Sequence, residues 1–163
     1  MTQMQDDATA VALARDGNED AFRFLVERHS RHIFRLACRM TGRPEDAEDV
    51  VQETFVRAFR QLSRFEARAN FATWLYRIAY NCAIDHLRAR PHRETPEERE
   101  TLEAMSDVVK GPDADDLVYA GEISERVQQA LGGLSDKERA AFLMRHYHGH
   151  SIDEIGAALG MKT

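Results

Sequence analysis

Apolar residues recur at helical spacing along most of this chain. Between residues 45 and 62 the steps of three and four are unbroken, at Ala47, Val50, Val51, Thr54, Phe55, Ala58, Phe59 and Leu62. Such a series predicts one helix with one buried stripe. The sequence contains no alternating strand pattern and no Asn-Gly hairpin, so we predict an all-α fold.

Residues that cap or break helices set the remaining boundaries. Asn18 and Asn70 are each placed to cap a helix, and Ser135 and Ser151 are each followed three residues later by a glutamate, the capping-box pattern. The predicted helices cover about residues 10–16, 18–41, 45–62, 70–89, 117–131, 136–147 and 152–159.

The stretch after Arg90 has a different composition. It contains three prolines, and residues 91–130 hold 11 acidic and 4 basic side chains with few large apolar ones. We read residues 91–116 as an acidic, flexible linker. Two small helical domains, residues 1–90 and 117–163, then lie on either side of the linker and are expected to move independently.

The net charge of −6 argues against a nucleic-acid binder until it is divided along the chain. From residue 54 to 90, seven arginines face two acidic residues, and aromatic residues lie among them, including Phe65, Phe71, Trp74, Tyr76 and Tyr80. Guanidinium groups meet phosphates and flat rings stack on bases, so this segment is typical of a surface for single-stranded nucleic acid.

Other patterns indicate what the chain lacks. Cys38 and Cys82 have no CxxC or metal-ligand spacing, no apolar run approaches a membrane span of about 20 residues, and the N-terminus is unlike a signal peptide. We therefore expect a soluble cytoplasmic protein without membrane insertion. No nucleophile elbow, phosphate-binding glycine loop or carboxylate pair is recognisable, so we expect no enzyme, no catalytic residue and no cofactor.

Three alternate histidines, His146, His148 and His150, suggest one competing interpretation, a helical metal-dependent hydrolase. They lie at a helix end and turn and have no partner of the H-E-x-x-H kind. We therefore expect no metal site and place the imidazoles near solvent or phosphate.

Two long segments resemble one known family, the bacterial RNA polymerase sigma factors of the extracytoplasmic-function (ECF) type. The segment DAEDVVQETFVRAFRQLSRFEARANFATWLYRIAYNCAIDHLRA resembles their second conserved region, and LGGLSDKERAAFLMRHYHGHSIDEIGAALGMKT resembles the first two thirds of their fourth. The resemblance implies a promoter-specificity subunit. It also implies an anti-sigma factor as a second protein partner.

The resemblance implies that the 45–62 helix docks on the clamp helices of the largest subunit of core RNA polymerase. The leading contacts are expected to be Asp46, Asp49, Gln52 and Glu53. These residues lie off the buried stripe at spacings that share one outward face.

The resemblance further implies that the loop 63–70 and the helix after it melt the minus-ten promoter element and read its non-template strand. Phe65 and Asn81 stand where the family forms a pocket for a flipped base. Phe71, Trp74 and Leu75 are expected in the core, and Tyr80 is ambiguous. The expected DNA contacts are Arg64, Phe65, Arg68, Arg77, Tyr80, Asn81 and Arg88.

The segment SIDEIGAALG resembles the first helix of a helix-turn-helix. The helix that reads the minus-thirty-five element follows Gly160 in the family and is not found in this sequence, so duplex recognition by this region is in doubt. A stand-alone helix-turn-helix regulator is the alternative function, although the chain shows neither a recognition helix nor a dimer interface of its own.

Overall fold

A computed structural model describes residues 6–90, 129–146 and 149–161 of the chain. Its first part contains four α-helices and a short 3₁₀ turn at Leu62–Arg64; its second part contains two more α-helices. The helices are α1 (Asp7–Arg15), α2 (Glu19–Thr41), α3 (Pro44–Gln61), α4 (Phe71–Ala89), α5 (Asp136–His146) and α6 (Ile152–Leu159). The described residues contain no strand, and the all-α prediction is confirmed.

The predicted caps are confirmed. The side chain of Asn18 accepts a hydrogen bond from the backbone N–H of Ala21 at 3.0 Å, and Ser151 forms the expected capping box with Glu154. The predicted start of α1 at Ala10 is wrong. Asp6 accepts a hydrogen bond from the N–H of Thr9 at 2.7 Å, so this aspartate caps the helix and starts it earlier.

Helices α2, α3 and α4 pack against one another and bury most of the large apolar residues of the first part of the chain. The buried stripe of α3 matches the prediction at Ala47, Val50 and Ala58. Thr54 is fully buried on the same stripe, where its hydroxyl donates to the carbonyl of Val50 at 2.6 Å. Phe59 is the exception within the predicted stripe, with 60% of its surface exposed, whereas Leu62 at the end of the stripe is buried.

The second part of the chain packs on the first. Helices α5 and α6 contact α4, and α5 also contacts α2. These contacts describe one conformation, and independent movement of the two halves stays a prediction. The predicted linker, residues 91–116, and nearly all of the predicted 117–131 helix lie outside the described residues. Of the apolar side chains of α6, Ile155 and Leu159 are buried, as their helical spacing predicts, whereas Ile152 at its start is 69% exposed.

Candidate partner and nucleic-acid interface

The outer face of α3 carries three of the four residues predicted to bind a partner. Asp49, Gln52 and Glu53 are exposed. Glu53 accepts a hydrogen bond from the Arg57 guanidinium at 2.7 Å, and the same guanidinium reaches Asp85 of α4 at 3.0 Å. These two carboxylates raise the pKa of Arg57 above its ordinary value. Arg57 was not predicted as the residue that links these carboxylates, although its i, i+4 spacing from Glu53 indicates such a pair.

Asp46 does not share that outward face, and its predicted orientation is wrong. Its side chain is only 18% exposed and lies 3.1 Å from His86 and 3.4 Å from Arg90, both near the end of α4. Successive residues turn by about 100° around a helix, so Asp46 lies about 20° from Glu53 at one edge of the face, and its contacts with α4, not the helical spacing, remove it from the exposed set. It connects the start of α3 to the end of α4.

An open apolar groove of about 810 Å³ runs beside the acidic face, between α2 and α3. Phe22 and Phe59 form part of its lining and meet edge to face, with ring centroids 5.0 Å apart. Asp49 and Gln52 belong to the same lining. The predicted partner face therefore combines carboxylate and amide groups with an exposed aromatic ring.

Phe65 was predicted to be an accessible DNA contact, and this placement is wrong. It is only 5% exposed, and its ring packs 5.8 Å from Phe71 and 5.1 Å from Trp74. The 3₁₀ turn directs the chain back over α4 at this point, because the N–H of Phe65 donates to the carbonyl of Leu62 at 3.1 Å. Phe65 anchors the 63–70 loop to the core.

Tyr80 is also unavailable to DNA in this conformation. Its side chain is fully buried, and burial raises the pKa of its hydroxyl above the ordinary value. Tyr80, whose role was ambiguous from the sequence, is therefore a core residue in this conformation.

The remaining predicted DNA contacts lie at the surface. Arg77 and Arg88 are exposed on α4, and Asn81 between them is half-buried. Spacings of four and seven residues place these three on one face of the helix. Arg64 and Arg68 are exposed in the loop that precedes α4. The structure therefore presents arginines on both the loop and the helix, with an amide within the helical face.

Comparisons with known proteins identify the family. Residues 25–93 match Sigma-70 region 2, and residues 124–163 match Sigma-70, region 4. The chain is 35% identical over 152 residues to the ECF RNA polymerase sigma factor SigW of Bacillus subtilis (strain 168), covering 90% of this chain and 81% of SigW. The chain belongs to the ECF family of RNA polymerase sigma factors. Promoter recognition and transcription initiation with RNA polymerase are the function of this sigma factor.

Two solved structures are similar to this ECF sigma factor. One is CnrH in complex with the cytosolic domain of CnrY, with 32% identity, a TM-score of 0.63, and coverage of 96% of this chain and 84% of that one. The other is an engineered region 2 of sigmaE in complex with GTAAAA, with 38% identity, a TM-score of 0.51, and coverage of 55% of this chain and 93% of that one. Sigma factors are regulatory proteins. The alternative function, a stand-alone helix-turn-helix regulator, is not favoured.

Of the three histidines in the region 4 part of this sigma factor, His146 is exposed as expected and His150 is not. His150 is only 3% exposed, and its ring packs edge-on to Tyr76 of α4 at 6.0 Å between centroids. Burial lowers the pKa of His150 against the opposing effect of Glu154. His146 stacks on Phe142 at 4.3 Å, and His148 lies outside the described residues.

The described part of the sigma factor contains neither a metal-binding cluster nor a membrane-spanning helix. Residues 6–90, 129–146 and 149–161 hold no group of three His, Cys, Asp or Glu side chains arranged to bind a metal ion. In the same residues, no helix is both long enough and apolar enough to cross a membrane.

Proposed function

We propose that the outer face of α3 binds the clamp helices of the largest subunit of core RNA polymerase, through Asp49, Gln52 and Glu53. The observation that carries this assignment is the position of these side chains beside an open groove with the exposed ring of Phe59. Carboxylates at the rim give charge complementarity to a basic partner helix, and an aromatic side chain beside them supplies apolar contact area. Asp46 supports this face from behind by holding α3 to α4.

Charge reversal at Asp49 tests the docking proposal. Asp49→Lys should weaken binding to core polymerase about tenfold, because a lysine opposes a basic partner surface, while the helical content stays unchanged. Asp153→Lys is the matched control, since Asp153 is exposed on α6 and outside the proposed face. Affinity is measured by titrating labelled sigma factor with core polymerase. Equal affinities for the two variants would reject the assignment of α3.

We infer that α4 and the preceding loop bind the non-template strand of the minus-ten element. Arg77, Asn81 and Arg88 form the helical part of this surface, and Arg64 and Arg68 form the loop part. Guanidinium groups neutralise phosphates without reading sequence, whereas the amide of Asn81 has both the donor and the acceptor needed to bond a base edge. The engineered region 2 of sigmaE, which is similar to this chain, was solved in complex with GTAAAA.

Phe65 and Tyr80 have indirect roles in this proposal. Phe65 fixes the loop from below, next to a cavity of about 240 Å³ that the loop shares with α1. A flipped base that stacks on Phe65 requires the ring to leave its present contacts with Phe71 and Trp74. Tyr80 positions the face of α4 from the core side.

Three further assignments belong to the same proposal. We place the boundary of the minus-ten domain at residue 90, the linker at 91–116 and the region 4 unit at 117–163. The protein acts in the cytoplasm, where RNA polymerase and promoter DNA are found. An anti-sigma factor is a further partner, since the similar protein CnrH was solved in complex with the cytosolic domain of CnrY.

A further inference from the structure

Helix α1 lies against the 63–70 loop, which we assign to DNA. The side chains of Asp7, Val11 and Arg15, at steps of four residues, share one face of α1 and line the cavity of about 240 Å³ between this helix and the loop. At the end of α1, the Nη2 of Arg15 donates a hydrogen bond to the carbonyl of Ser63 at 3.3 Å. Helix α1 therefore holds the loop at its first residue.

A buried polar pair connects the start of α1 to α2. His29 of α2 is only 6% exposed, and its Nε2 lies 2.9 Å from one carboxylate oxygen of Asp7. An ionised carboxylate only accepts hydrogen bonds, so the ring donates from Nε2. The other oxygen of Asp7 lies 3.5 Å from the Nε of Arg28. A buried pair whose polar atoms are satisfied favours one arrangement of the elements that carry it, so these contacts fix α1 on α2.

The same imidazole contacts the residue that follows the loop. The ring of His29 packs on the ring of Phe71 at 5.5 Å between centroids, with an angle of 60° between the planes. Phe71 is the first residue of α4 and packs in turn on Phe65, the buried anchor of the loop, at 5.8 Å. Asp7 is thus connected through His29 to the far end of the loop.

Burial gives the 63–70 loop only one anchor of its own. Phe65 is buried, whereas all other residues of the loop are exposed, including Arg64 and Arg68. Exposed residues keep conformational freedom unless contacts at the ends of the segment restrict it. The contacts at Ser63 and Phe71 therefore determine how the loop lies relative to α4.

We propose that Asp7, Arg15 and His29 are positioning residues for minus-ten recognition, which hold the 63–70 loop in register with Asn81 on α4. This inference rests on the proposed function of the loop and of α4. None of the three residues is assigned a contact with DNA. They restrict the loop at both ends, so that a strand bound by the loop arginines places a base at the amide of Asn81. A loop without these contacts adapts to mismatched strands, as flexible surfaces do in promiscuous binders, and base preference falls.

Replacement of His29 tests the connection through Phe71. The polymerase complex is titrated with fluorescent single strands that differ at one base of the minus-ten element, at two salt concentrations. His29→Leu should lower the preference between strands about threefold, the scale of one lost hydrogen bond, and leave the salt dependence unchanged because no phosphate contact is removed. Asp7→Ala should give the same loss. His29→Gln, whose amide still donates to Asp7, should retain most of the preference. His32→Leu, at an exposed position of α2, is the matched control and should behave like the wild type.

Replacement of Arg15 tests the other end of the loop at an exposed position. Arg15→Ala should lower the preference between strands about twofold, because an exposed hydrogen bond contributes less than a buried one, and should leave the salt dependence unchanged. Arg23→Ala, which removes an exposed arginine paired within α2, should change neither quantity. A weaker salt dependence for Arg15→Ala would show that Arg15 contacts a phosphate and would reject its positioning role.

Asn81→Ala is measured in parallel, and circular dichroism checks that each variant is folded. If Asn81→Ala relaxes the preference while His29→Leu and Arg15→Ala do not, the positioning role is rejected and the proposed function stands. Loss of preference in His29→Gln as large as in His29→Leu rejects the hydrogen bond to Asp7 as its cause. If His29→Leu does not fold, the result for Arg15→Ala decides. If Asn81→Ala leaves the preference unchanged although polymerase binds, the proposed function of α4 fails instead.

Discussion

Phe59 and Phe65 have opposite surroundings although they lie six residues apart. Phe59 is 60% exposed at the groove beside α3, and Phe65 is 5% exposed in an aromatic cluster with Phe71 and Trp74. The first ring is available to a partner protein, and the second stabilises the loop that precedes α4.

Replacing each ring by alanine separates these roles. Phe65→Ala should lower the free energy of unfolding by about 3 kcal/mol, because it leaves a cavity in packed surroundings. Phe59→Ala should lower it by less than about 1 kcal/mol while weakening the affinity for core polymerase. Urea unfolding followed by circular dichroism measures the first effect and titration with polymerase the second. Similar losses of stability in both variants would contradict the assigned roles.

Asn81 and Arg88 occupy the same face of α4 but are expected to recognise different parts of DNA. Asn81→Ala should relax preference at one base by about 1–3 kcal/mol, the usual cost of a lost base-edge contact. Arg88→Ala should weaken all sequences alike and reduce the dependence of binding on salt. The measurement is binding of the polymerase complex to a panel of fluorescent single strands at two salt concentrations. Equal loss on every strand for Asn81→Ala would assign that residue a structural role.

At the scale of elements, charged side chains join α3 and α4 at two places along α3, both near the end of α4. Asp46 meets His86 and Arg90 at one end, and Arg57 joins Glu53 to Asp85 further along. These contacts keep the face that we assign to polymerase in a fixed orientation to the face that we assign to DNA.

A double-mutant cycle measures the interaction between Asp46 and Arg90. Asp46→Asn and Arg90→Gln should each destabilise the fold, and the pair should show a coupling free energy of about 1 kcal/mol, since both side chains are about one-fifth exposed. The equivalent cycle on Asp20 and Arg23, a largely exposed pair within α2, should show little coupling. Coupling as weak in the first cycle as in the second would mean that the pair of Asp46 and Arg90 contributes nothing to stability.

The same elements show what local sequence determines. Caps at Asn18, Asn70 and Ser151 were predictable because a cap depends on residues three positions apart. The burial of Phe65 was not predictable, since it depends on how the loop returns over α4. Asp46 was misplaced because periodicity defines the centre of a helix face better than its edges, and its partners lie about 40 residues away in sequence.

At the scale of the whole molecule, the contact between the two halves was beyond sequence reasoning. Arg139 of α5 donates a hydrogen bond to the carbonyl of Met40 in α2, 99 positions away, and no local pattern links the two residues. The candidate surfaces were predictable because a known family carries similar motifs, whereas their arrangement in this conformation follows from long-range packing.

Acid should destabilise the molecule in a defined range of pH. Burial lowers the pKa of both His29 and His150 from the ordinary value of 6.5, although Asp7 and Glu154 oppose this. Just below pH 6.5 the unfolded chain therefore binds more protons than the native state, and the free energy of unfolding falls as the pH falls. Urea unfolding at about pH 7.5 and about pH 5.5 should show this loss.

Replacing His29 tests whether this residue causes the loss of stability in acid. His29→Gln should show a smaller difference between the two pH values than the wild type, because one buried imidazole no longer has to be kept neutral. His32→Gln, at an exposed position, should retain the wild-type difference. An identical pH dependence in all three proteins would exclude His29 as its source.

The aromatic cluster under the 63–70 loop also contains the only tryptophan of the chain, Trp74. Its indole lies 5.1 Å from the ring of Phe65 and 5.7 Å from that of Phe71. Any displacement of the loop changes the surroundings of this single fluorophore. The intrinsic emission of the protein is thus a label-free optical signal, at one known position, for the moment at which the loop releases Phe65.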